Sequence, residues 1–227
     1  MSQTEAVPAG RRQRRRQETI EEVLDIAAAI MAEEGAAGLS IGEVARRIGI
    51  RPPSLYVYFP SKDALYDALF ARGAQAILAA MQDSMPAPPS GEHELERLLL
   101  DRAEAFVRWS MRYQPYAQLL FWRPVPGFTP SSQAYEPAVR LLELGVELFG
   151  QLQRDGLIRS DVPAEQVCRD WTILISGVIS QQLSNAPQES FDEGRFTVAL
   201  PGLVSMFVRY YQQSSTPQGR GQRANHD

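Results

Sequence analysis

Between Ser40 and Lys62 the chain places Arg46, Arg47, Arg51 and Lys62 against one acid, Glu43, a local excess of three positive charges in a chain of net charge −4. Guanidinium and ammonium groups at this density are suited to holding phosphates, and a basic footprint on an acidic body is the charge pattern of a sequence-specific DNA binder. On charge alone, a basic tail plus a solvated helix face fits equally well. Bond-making chemistry has no such cluster. The two histidines, His93 at a helix start and His226 in the tail, complete no Ser-His-Asp or Cys-His arrangement. No metal-ligand spacing or phosphate-cradling glycine loop occurs, so neither an enzyme nor a cofactor is expected.

Two short helices must position those basic groups. Ser40 can accept a hydrogen bond from the N–H of Glu43, whose carboxylate can reach back to the N–H of Ser40. Ile41, Val44, Ala45 and Ile48 then share one helical face. Gly49 supplies the positive φ that ends a helix, and Pro52 and Pro53 suit the first turn of the next. Leu55 and Phe59, one turn apart, point inward; Ser54, Tyr56, Val57 and Tyr58 lie to the other side. The spacing predicts a helix-turn-helix, whose second helix is the kind that enters a DNA major groove.

The rest of the chain reads as helices with no internal repeat and no strand pairs. Arg11 to Arg16 hold five arginines and no acid, either a solvated run or an arm that reaches phosphates or a minor groove. A helix is expected from about Gln17 to Glu34, with Ile20, Val23, Leu24, Ala27, Ile30 and Met31 on one stripe. Ser61 caps a long helix running to about Met81, where the breaker cluster Met85–Gly91 stops it. Further helices are expected over His93–Tyr113, around Tyr116–Trp122, over Ser132–Arg154, and from Asp161 or Pro163 to Ser184. The last is expected over Glu193–Gln212, kinked at Pro201. No apolar run approaches the ~18 residues of a membrane span. The N-terminal arginines precede no apolar stretch, so they are not a secretory signal. With a single cysteine, Cys168, no internal disulfide framework is possible, and these features together favour the cytoplasm. Cys168 itself reads as a buried small residue rather than a redox sensor.

The run from Gly49 to Leu65 resembles the DNA-binding signature of the TetR (tetracycline-repressor-like) family of bacterial regulators: a turn, then Leu55, Tyr56, Tyr58, Phe59, Lys62 and Leu65 at the family's spacing. The resemblance covers about residues 17 to 72; beyond them it is one of layout. It implies an all-α fold, with an N-terminal three-helix helix-turn-helix DNA-binding domain and a larger C-terminal helical ligand-binding and dimerisation domain. It places Pro53, Ser54 and Tyr56 at the groove, Tyr58 and Lys62 on phosphates, and Ser40 at both its cap and a phosphate. Lys62 is the only lysine in the chain. Two departures stand out: Tyr58 replaces a commoner histidine, and Pro52 occupies a position where a polar base reader often sits. Base reading then shifts to Arg51 or Ser54. Arg51 can take a guanine bidentately or simply meet a phosphate.

In the body, Phe106, Trp109, Tyr113, Phe121, Trp122, Tyr135 and Trp171 accumulate. Each alone is more readily a core residue than a ligand contact, but the resemblance implies small-molecule sensing in this region, so an effector cavity is expected. Arg108, Arg112 and Arg123 are the nearest charges and can snorkel outward, which suggests a hydrophobic or aromatic effector. Val167, Leu174, Val178, Phe196, Leu200, Val204 and Phe207 on the last two helices give more apolar face than one partner needs, predicting a homodimer.

The expected organisation is a disordered basic arm over 1–16, a helix-turn-helix domain over 17–72, an effector-binding and dimerisation domain over 73–213 and a disordered tail over 214–227. The expected function is a ligand-responsive repressor that binds a near-palindromic operator as a homodimer and is released by a hydrophobic small molecule. The alternative is a helix-turn-helix DNA-binding protein governed by a protein partner or by no effector.

Overall fold

The computed structural model describes residues 9–83, 89 and 91–212. The expected disorder of residues 1–8 and 214–227, and most of the Met85–Gly91 breaker, lie outside the described residues. Among those described the fold is all-helical: α1 (Ala9–Glu34), α2 (Ile41–Ile48), α3 (Pro52–Leu55), α4 (Lys62–Asp83), α5 (Glu92–Arg112), α6 (Gln114–Phe121), α7 (Ser132–Arg154), α8 (Ala164–Asn185) and α9 (Leu200–Tyr211). Short 3₁₀ turns, Ala36–Gly38 and Thr197–Ala199, precede α2 and α9. No helix among the described residues is long and apolar enough to cross a membrane.

The stripe on α1 is buried as its period requires: Val23, Ala27 and Ile30 are fully inaccessible and pack with Val44, Ala45, Leu55, Leu65 and Leu69 in one core. That core also takes Leu119 from α6 and Ala134 from α7. A second core joins α5, α7, α8 and α9 around Phe149, Ile175 and Val204. Between them Ile77 and Met81 of α4 meet Trp109 and Ala117. Helix α4 therefore runs from the first core into this middle cluster, with α7 alongside it.

Two helix boundaries differ from expectation. Helix α1 begins at Ala9, not near Gln17, so Arg11 to Arg16 form helical turns rather than a disordered arm. Arginine and glutamine are good helix formers, and the Arg14 guanidinium donates to Glu18 one turn on. At the other end, Pro201 occupies the first turn of α9 and kinks nothing. The chain before it is a loop and a 3₁₀ turn, and proline needs no N–H partner in a first turn.

Candidate functional site

The helix-turn-helix closes through local chemistry. The Glu43 N–H donates to Ser40 Oγ at 3.1 Å, and Gly49 adopts φ 80° while its N–H returns to the carbonyls of Ala45 and Arg46. The Glu43 carboxylate, however, faces Arg46 (2.7 Å) and Arg47 (2.8 Å) instead of completing a reciprocal box at Ser40. Helix α3 is a single turn, followed by a turn in which the N–H groups of Tyr58 and Phe59 both return to the Leu55 carbonyl. Burial of Leu55 and Phe59 holds this turn down and leaves Pro53, Ser54 and Tyr56 exposed.

The predicted DNA-facing residues fall into two groups. Ser40, Arg51, Pro53, Ser54 and Tyr56 are exposed. Tyr58 is half-buried, and the Arg16 guanidinium of α1 lies 5.7 Å from its ring centroid. That contact brings the basic turns of α1 beside the helix-turn-helix, a placement no sequence spacing reveals. Lys62, also half-buried, donates to the Ala37 carbonyl at 3.3 Å and sits 5.4 Å from the Tyr66 ring. It is thus not a free ammonium in this structure. The Tyr66 hydroxyl donates to the neighbouring Ala36 carbonyl at 2.5 Å, so the start of α4 grips the 3₁₀ turn twice.

Charge in this region is partly spent internally. Arg47 bridges Glu33 of α1 and Glu43 of α2, and Arg46 also pairs with Glu43. Hydrogen bonds from Arg46 and then Arg47 pull the Glu43 carboxyl down to about 2, and the bond from Arg47 lowers Glu33. Arg51, at the N-cap of α3, is exposed and takes no acid partner among the described residues.

Below this unit the body forms a cavity of about 310 Å³ between α4, α5, α6, α7 and α8, open to solvent past the exposed side chains of Tyr135, Val139 and Leu142. Of the aromatic residues expected there, Phe106, Phe121, Tyr135 and Trp171 line it. Trp109 is buried behind the wall against Ile77, Met81 and Ala117; Tyr113 and Trp122 are exposed and lie outside it. Aliphatic side chains missing from the aromatic pattern complete the wall, notably Ile77 and Met81 of α4 and Leu141, Leu142 and Leu148 of α7. The cavity's one charged lining residue is Arg102 of α5. Of the three arginines read as nearest, Arg108 pairs with Asp192 at 2.8 Å and Arg112 lies over Tyr113, while Arg123 is exposed at a positive φ of 46°. Cys168 lies in the cavity wall, is buried, and has its thiol pushed up by burial. It lies so close to Gly145 that a Cβ there would stand 2.8 Å from Sγ.

The residues expected at a dimer interface are largely inside the single chain. Val167, Val178, Leu200, Val204 and Phe207 are buried in the second core, and Leu174 and Phe196 are half-buried. The apolar side chains that α8, α9 and the turn before α9 expose are Ile173, Val198, Met206 and Tyr210. A stripe's period shows that it is buried, not by what.

Residues 23–69 match the family model described as bacterial regulatory proteins, tetR family. That segment is a TetR-family segment. The chain is 34% identical over 138 residues to the tetracycline repressor protein class D of Escherichia coli, a match covering 60% of this chain and 57% of that protein. It is 27% identical to the HTH-type transcriptional repressor KstR2 of Mycobacterium tuberculosis over 65% of this chain and 73% of the other. The chain thus spans a little over half the length of the tetracycline repressors it matches. Among solved structures, a protein of unknown function from Rhodococcus sp. RHA1 superposes with a TM-score of 0.71 at 19% identity, covering 93% of this chain and all of that one. The TetR family transcriptional regulator PfmR from Thermus thermophilus does so with a TM-score of 0.64 at 17% identity, over 82% and 97%. At these identities the likeness is one of fold, and the TetR fold extends through the body helices as well as the matched N-terminal segment.

Proposed function

We propose that this chain is a ligand-responsive transcriptional repressor of the TetR family, which binds a near-palindromic operator as a homodimer and is released by a small molecule held in the body. The proposed DNA-facing set is Ser40, Arg51, Pro53, Ser54, Tyr56 and Tyr58, with Lys62 and the arginines at the start of α1 near phosphates. Exposed N–H groups and cations at helix starts suit phosphates, and Arg51 suits a base edge. A two-fold dimer presents two such units to half-sites about one helical turn, ~34–36 Å, apart. The exposed apolar residues Ile173, Met206 and Tyr210 are the natural contacts between copies.

One observation carries the response to ligand. Helix α4 lines the cavity with Phe70, Ala74, Ile77 and Met81, and its first residues, Lys62 and Tyr66, grip the turn that leads into α2. A ligand that fits the cavity in only one setting of α4 would shift the population toward that setting, and with it the spacing of the two recognition units. Operator affinity falls by the ligand's differential affinity for the two settings. The test is a titration of labelled operator DNA with protein, with and without small molecules that raise the protein's melting temperature. Ligands that stabilise the protein should also release the DNA. Stabilisation without release would leave a DNA binder with no effector control.

A further inference from the structure

Arg102 and Phe106 stand one turn apart on α5, and both side chains reach the cavity wall. Around them the wall is aliphatic and aromatic, with a thiol, two hydroxyls and an indole N–H (Cys168, Thr172, Tyr135 and Trp171) as its other polar side-chain groups. The Thr172 hydroxyl is already used, donating to the Cys168 carbonyl. Arg102 has no carboxylate within ion-pair reach among the described residues. Arg108, on the same helix, pairs with Asp192 and Glu104. Desolvation alone acts on the Arg102 guanidinium and lowers its pKa, with no acid opposing it. A cation set into an apolar wall without a counter-charge is costly to the empty protein. A ligand that brings the counter-charge removes that cost, and a planar guanidinium matches a carboxylate through two parallel hydrogen bonds.

We propose that the cavity takes an organic anion: a carboxylate held by Arg102, with an apolar, partly aromatic body lying along Phe106, Phe121 and Trp171. This rests on the reading of the cavity as the effector site. One guanidinium balances one negative charge, so a carboxylate fits better than a phosphate monoester, which carries nearly two. A cavity of about 310 Å³ is at the small end of ligand sites, which selects a compact acid.

The test uses the full chain and four probes, 1-naphthylacetate, its neutral amide, 1-naphthyl phosphate and naphthalene, with binding read by calorimetry and melting temperature. Wild type should bind the acid at least about tenfold tighter than the amide, as one charge-assisted pair in an apolar site would give. Arg102→Met should bring that ratio to about one, and Arg102→Lys should retain part of it. Without ligand, Arg102→Met should melt at or above wild type, since it removes an unpaired, half-buried charge from an apolar wall. An amide that binds wild type as well as the acid, a phosphate that binds tighter than the acid, or a preference that survives Arg102→Met overturns the inference. So does a clear drop in the melting temperature of Arg102→Met, which would make the guanidinium structural. If naphthalene binds and none of the anions does, the anion inference fails and the cavity reading stands. If none of the four binds, both fail.

Discussion

The carboxylate of Asp67 on α4 accepts two hydrogen bonds from Ser131, one from its N–H at 2.6 Å and one from its hydroxyl at 2.7 Å. Ser131 is also the N-cap of α7, accepting from the Ala134 N–H at 3.1 Å. One serine thus fastens the start of α7 to α4, beside the Phe70–Tyr135 ring stack at 5.7 Å. Asp67→Ala should destabilise the protein by about 1–2 kcal/mol, read from urea unfolding, because two charge-assisted bonds at a partly exposed site are lost. It should also shrink the change in DNA affinity that a ligand produces. An unchanged midpoint and an unchanged ligand effect would show that α4 and α7 move independently of this contact.

Gly73→Ala should destabilise even though alanine is the better helix former by roughly 1 kcal/mol. A Cβ at Gly73 would stand 2.9 Å from a ring carbon of Tyr116 and 3.0 Å from its Cβ. The base of a packed tyrosine cannot swing away, so α4 and α6 must part, at about 1–3 kcal/mol for an overpacked site. A melting temperature at or above wild type would show that this crossing has slack.

The Glu43 network sets an acid-side prediction. Its folded pKa of about 2 lies below the ordinary 4.5, so its contribution is fully present above about 4.5 and is lost as pH falls through about 2. A carboxyl titration by NMR should give Glu43 a midpoint near 2 in wild type and a higher one in Arg46→Gln, which removes its largest stabilising partner. A wild-type midpoint near 4.5 would mean that the pair is not held in solution.

Arg51→Ala should leave the melting temperature within error, since the side chain is exposed and takes no acid partner among the described residues. It should weaken binding to the preferred DNA by about 1–3 kcal/mol if Arg51 reads a base. An equal loss on all sequences would make it a phosphate contact. Lys62→Glu should weaken binding to all sequences alike and also lower stability, because it removes the bond to Ala37.

The helix-turn-helix was legible because its signals are local: the cap at Ser40, the positive φ of Gly49, the prolines after it and the cap at Ser61, whose hydroxyl accepts from the Ala64 N–H at 3.0 Å. Elsewhere the deciding contacts are remote. Arg11 to Arg16 have no apolar period, so nothing in their sequence separates a helix from a solvated run. The aromatic cluster showed where the cavity is but not which rings face it, because Trp109 and Trp122 differ only in what packs around them. Val204 and Met206 are two positions apart on one apolar helix, and only tertiary packing turns one inward and leaves the other exposed. Arg102 looks, in sequence, like Arg97 or Arg108 on the same helix. Its lack of an acid partner is visible only in three dimensions.

Exposed residues around α3 that read DNA in a two-fold dimer leave a signature in the sequences the protein selects from a random duplex pool. Such selection should enrich an inverted repeat with half-sites about one helical turn apart, bound at about 10⁻⁸–10⁻¹¹ M at physiological salt. Tyr56→Ala and Arg51→Ala should lose that preference while remaining folded. Enrichment of nothing beyond random sequence, or of a single asymmetric half-site bound by a monomer, would contradict this mode of DNA reading.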